Sequence, residues 1–79
     1  MARRLRNWSY RDVTKFLKQN GFTLFKELGG SHQAWIKRGS GKKPETTVEV
    51  NFTHHSYPVE TMKTMIRQSG IAEKVWIKR

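Results

Sequence analysis

The chain has no cysteine. Disulfides and thiolate metal sites are thereby excluded, and the fold must rest on aromatic and aliphatic packing. It also has no apolar run near the ~18 residues that a membrane-spanning helix needs. The N-terminus, "MARRLRNW", is basic but has no apolar segment behind it, so it does not read as a secretory signal. A soluble, cytoplasmic protein is the expectation. Acidic residues are scarce: six Asp and Glu stand against sixteen Lys and Arg, a net charge of +10. That balance points to a polyanionic partner, with nucleic acid first and an acidic protein or an anionic membrane surface after it. A basic but inert surface is the bland alternative.

What is present fits one domain of 79 residues. A chain this short buries only roughly 60% of the surface its unfolded form exposes, so its core is thin. Residues 1–7 read as a basic arm. Ser9 then suits a helix N-cap, with Asp12 three residues on, close to a capping box. Trp8 and Val13 are placed for a hydrophobic staple across that cap. Tyr10, Val13, Phe16 and Leu17 fall on one helical face, which reads as core, and Gly21 after Asn20 is a left-handed stop.

Three alternating stretches follow. "FTLFKEL" places Phe22, Leu24 and Leu28 on one side. "SHQAWIKR" sets Ala34 and Ile36 against Gln33, Trp35 and Lys37. "TTVEVNF" sets Val48, Val50 and Phe52 against Thr47, Glu49 and Asn51. Such alternation suits a half-buried antiparallel sheet. Gly29-Gly30 makes a tight turn between the first two strands, and "GSGKKPE" a hairpin loop between the second and third. A second helix begins near Pro58, carries Val59, Met62, Met65 and Ile66 as its apolar stripe, and stops at Gly70, with Ile71 packing back. The tail, residues 72–79, reads as a short strand or extended segment built from Val75, Trp76 and Ile77. The order is α-β-β-β-α, an α+β layer of one three-stranded antiparallel sheet with both helices on one face. The open face is expected to display Gln33, Trp35, Lys37, Thr47, Glu49 and Asn51.

Read as residues alone, His32 is either a polar turn residue or an acid–base group at a strand mouth. Trp35 could stack on an unpaired base, dock a partner, or lie under the tail or a second copy. Lys37, Arg38, Lys42 and Lys43 are either phosphate contacts or a solvated hairpin. His54 and His55 read as a solvated loop or as RNA contacts. No ligand spacing suggests a metal, and no cofactor is expected.

Together "NGFTLFKELGGSHQAWIKR", a strand leading to "HH", and "YPVETMKTMIRQSGI" resemble the HicA family of mRNA interferase toxins, over about Asp12 to Ile71. The resemblance implies a double-stranded-RNA-binding-like fold. It implies a toxin of a toxin–antitoxin pair, a ribonuclease with the G-S-H histidine, here His32, as catalytic residue. It also implies a HicB-type antitoxin protein as partner. Two departures stand out: the family's V-P-x-H segment reads "VEVNFTHH" here, and Gln33 follows His32 where a second histidine is often found.

The chemistry is compatible with one histidine. RNA supplies its own 2′-hydroxyl nucleophile, so a metal-independent endoribonuclease needs only proton transfer and charge stabilisation on the phosphoryl oxygens. An imidazole moves protons near neutral pH, and Lys and Arg hold phosphate. Gly30 allows close backbone approach and Ser31 offers a hydroxyl to a phosphate or to the turn itself. The expected RNA-binding set is therefore Gly30, Ser31, Trp35, Lys37, Arg38, Lys42 and Lys43, with mRNA as substrate. An acidic antitoxin is expected to cover His32 and use Trp35 as its anchor. The alternative function is a non-catalytic RNA-binding domain using the same basic sheet.

Overall fold

The computed structural model describes residues 5–39, 45–53 and 55–78. Its elements are α1 (Tyr10–Gln19), β1 (Thr23–Glu27), β2 (His32–Lys37), β3 (Thr46–Asn51), α2 (Val59–Ser69) and α3 (Glu73–Ile77). The sheet is antiparallel in the order β1-β2-β3. The α+β class is as expected, and a third helix is added at the end.

Local chemistry accounts for the helix ends. The Ser9 hydroxyl accepts from the Asp12 N–H at 3.1 Å, and the Asp12 carboxylate accepts from the Ser9 N–H at 3.0 Å. This reciprocal box satisfies two N–H groups that the first turn would leave open. Gly21 and Gly70 follow α1 and α2 with φ of 88° and 72°, the left-handed region that glycine enters without strain. Pro58 caps α2 from just outside it.

One core joins all the helices to one face of the sheet. Val13, Phe16 and Leu17 of α1, Met62, Met65 and Ile66 of α2, and Trp76 of α3 cluster with Trp35, Val48 and Val50. Both long helices therefore cover the same face. At the centre of the cluster Phe16 stacks on Trp76 at 4.0 Å between ring centroids, and Trp8 meets both edge-on. Leu5, read as part of a basic arm, is seated in this core, so the chain is anchored before α1 begins.

Three expectations are overturned. The tail is helical rather than extended. A V-W-I run has no alternation to prefer a strand. One helical turn, closed by the Val75 N–H on the Ala72 carbonyl, puts Trp76 under Trp8 and Phe16 while Val75 stays outside. The Trp76 indole N–H donates to the Ser69 hydroxyl at 3.3 Å, which gives its one polar atom a partner.

The second correction concerns β2. Its register pairs Gln33 with Val50, Trp35 with Val48 and Lys37 with Thr46, which puts these residues on the helix-facing side. His32, Ala34 and Ile36 share the opposite face with Asn51, Glu49 and Thr47. Gln33 and Trp35 thus do not sit on the open face. Either parity of "HQAWIK" offers apolar side chains, and the larger one takes the core. Gln33 is carried in with it. Its Oε1 accepts from the Tyr10 hydroxyl at 2.9 Å and from the Trp35 indole N–H at 3.1 Å. Those bonds offset a desolvation cost of about 1–3 kcal/mol for a buried polar group left alone.

The third correction is in β1. Phe22 is buried just before the strand, but Leu24 is exposed. Leu24 opposes Trp35 and Lys26 opposes Ala34, so Phe25 is an extra residue that switches the faces midway. The expected single apolar side of this strand is lost at that bulge. Phe52 and Val59, expected with the apolar sets of β3 and α2, are also exposed.

Candidate functional site

His32 is the first residue of β2, directly after the turn Gly29–Gly30–Ser31. Gly30 has φ of 73°, and a Cβ added at Gly29 or Gly30 would meet no atom within 4 Å. The turn is thus bare of neighbours. Its backbone is nonetheless fixed. The His32 carbonyl accepts from the Leu28 N–H at 2.8 Å, and the Ser31 carbonyl accepts from the Phe52 N–H at 3.0 Å. The imidazole is therefore carried on a post tied to both neighbouring strands.

The side chain itself is open. His32 and Glu49 are 49% and 55% exposed, and Nδ1 lies 3.9 Å from Glu49 Oε1. Asn51 is the residue directly opposite His32. α2 completes the surroundings: Thr61, Thr64 and Gln68 line, with His32, Glu49 and Asn51, a shallow depression of about 210 Å³ floored by Met65. Gln68 Oε1 accepts from the Glu49 N–H at 3.0 Å, so α2 holds β3 in place beside the histidine. Below Asn51, the Tyr57 hydroxyl donates to the Asn51 carbonyl. Burial, and then the neighbouring Tyr10 hydroxyl, push the Tyr57 phenol up to about 12, so it remains a donor at neutral pH.

The other expected residues are not gathered here. Gly30 and Ser31 adjoin His32. Lys37 and Arg38 are exposed at the far end of β2, five or more residues along, or about 17 Å at the rise of a strand. Lys37 also belongs to the opposite face, with its stem running past Gly21; a Cβ there would lie 3.4 Å from Lys37 Cε. Trp35 is buried, with the Lys18 ammonium 5.7 Å from its ring centroid, so no base or partner reaches it. Lys42, Lys43 and His54 lie outside the described residues. His55 is exposed in the loop before α2. Among the described residues no three His, Asp or Glu side chains cluster as metal ligands.

Sequence reading missed Glu49 as a neighbour of His32, together with Thr61, Thr64 and Gln68. The α2 residues carried a signal. Their spacing of three and four makes a polar row on one helical face. Lys63 and Arg67, both exposed, stand one position before Thr64 and Gln68 on the same helix.

Comparison of the chain with family models, curated proteins and solved structures finds no match to any of them. The likeness to the HicA family rests on the motif residues quoted above.

Proposed function

We propose that the chain is a metal-independent endoribonuclease with His32 as its general acid–base, the toxin of a toxin–antitoxin pair. The observation that carries this reading is the placement of His32. It stands half-exposed on a backbone clamped from both sides, next to a glycine turn with room for an RNA strand and beside the Glu49 carboxylate. A contact this long and exposed contributes little to stability. Its use is orientation. A carboxylate at Nδ1 favours the proton on that nitrogen and leaves Nε2 to work.

In the proposed step Nε2 removes the proton of an RNA 2′-hydroxyl. The freed oxygen attacks the adjacent phosphorus, the bond to the 5′-oxygen breaks, and the leaving oxygen takes a proton from the imidazolium. The product is a 2′,3′-cyclic phosphate and a 5′-hydroxyl. Lys63 and Arg67, exposed on α2 next to Thr64 and Gln68, and Lys26, opposite Ala34 on the sheet face of His32, replace Lys37 and Arg38 as the proposed phosphate contacts. An acidic antitoxin of the HicB type would silence the site by covering His32 and excluding RNA from the same charges. Trp35 cannot be its anchor, because that ring is already enclosed.

The test is incubation of the full chain with a defined RNA in EDTA, with the product ends read by mass spectrometry. Cleavage to cyclic phosphate ends is expected. Cleavage that EDTA abolishes and Mg²⁺ restores, or binding without cleavage, would overturn the catalytic reading; the second result would leave a non-catalytic RNA-binding domain.

A further inference from the structure

The two edges of the sheet are unlike. Along β3 the outward Glu49 N–H is taken up by Gln68 of α2. β1 is the other edge, and among the described residues no strand pairs with its outer side. Every residue from Thr23 to Glu27 is exposed. Leu24 and Phe25, at 46% and 57%, are the most exposed large apolar residues described. Edge strands are usually blunted by charge, proline or a covering element. This one carries Lys26 and the bulge at Phe25, yet its middle still presents Leu24 and Phe25 to solvent.

We propose that the outer edge of β1 is a docking site for an extended, acidic protein segment that joins the sheet as a fourth strand. An open edge offers a ladder of N–H and C=O groups, and pockets or rings beside it choose the side chains of the added strand. Leu24 and Phe25 supply the apolar contacts. Charge selects the occupant. Lys26 lies in the strand, Lys18 sits over Trp35 directly opposite Leu24, and the Lys37 stem crosses Gly21 just before β1. Glu27 is the single acidic residue of the strand. A second copy of the chain would bring +10 against +10. An RNA would answer the charge but could not continue the backbone ladder. The added strand would lie one spacing beyond β1, about 10 Å from β2. It would hold a protein beside His32 rather than over it. The inference goes beyond the nuclease reading and needs neither His32 nor RNA, so the two stand or fall separately.

The experiment uses the full chain labelled with ¹⁵N and a synthetic ten-residue peptide of alternating Glu and Val. Amide shifts and slowed exchange confined to β1 are expected. Phe25→Glu should weaken binding at least tenfold while the melting temperature stays unchanged. A peptide of equal charge with Pro replacing its central Val should bind at least tenfold more weakly, because it cannot form the ladder. Shifts spread over the basic surface, equal binding of the Pro peptide, or no binding would overturn the proposal. So would self-association through β1 in a dilution series, or an RNA oligonucleotide that shifts the same β1 amides where the peptide does not.

Discussion

On the helix-facing side of β2, Gln33 and Trp35 are 7% and 3% exposed, and each is tied by hydrogen bonds. On the other side His32 is half open, and the Glu49 carboxylate lies 3.9 Å from its Nδ1. One strand thus serves two purposes through the two-residue period of its side chains. The comparison is sharpest at adjacent positions. Moving from His32 to Gln33 crosses from a group that solvent can reach to one whose polar atom is committed to the core. A substitution should cost stability on one side and activity on the other. Not all of the outer face is open, since Ala34 and Ile36 are 5% and 4% exposed on the central strand. The accessible part is the His32 end.

The largest effect is expected on the helix-facing side. Trp76→Ala removes the ring stacked on Phe16 and should cost about 3–5 kcal/mol, enough to unfold a marginal domain of this size. Urea titration would measure it; a loss under 1 kcal/mol would mean that α3 is not part of the core. Gln33→Ala comes next. It strands the Tyr10 hydroxyl and the Trp35 indole N–H, at a cost of about 1–3 kcal/mol. If Gln33→Ala is as stable as wild type, the buried polar network does not fix the parity of β2.

A pH series sharpens the same contrast. Tyr57 is neutral in the fold with its phenol raised from 10.0 to about 12, chiefly by burial. A raised folded-state value means that its contribution is whole below pH 10 and is lost as pH climbs toward 12. Wild type should therefore lose more stability between pH 9 and 11.5 than Tyr57→Phe does, with unfolding followed by tryptophan fluorescence. Parallel pH curves would mean that Tyr57 titrates alike in the folded and unfolded chain.

Much of this arrangement was legible in the sequence because short-range chemistry wrote it there. Ser9 with Asp12, Gly21 and Gly70 mark helix ends by rules that need only three or four residues. The Gly-Ser-His stretch places His32 at the mouth of a strand, and β2 does begin there. The faces of β2 were harder, because Ala34 and Ile36 on one parity and Trp35 on the other are all apolar. Only the partner strand's Val48 and Val50 decide between them. The β1 bulge at Phe25 has no local signature, and it inverts the reading of everything past it. Glu49 and Gln68 met His32 through cross-strand register and helix packing, which are long-range facts. Trp76 was misplaced because a five-residue helix has too few turns to show a period.

The His32 side chain is proposed to act on RNA while carrying none of the fold. The most direct test is His32→Ala, with RNA cleavage and melting temperature measured on the same preparation. Cleavage should fall by a factor of about 100 or more, as for removal of a general acid–base, with stability within about 0.5 kcal/mol of wild type. Undiminished cleavage by a folded His32→Ala protein would contradict this role.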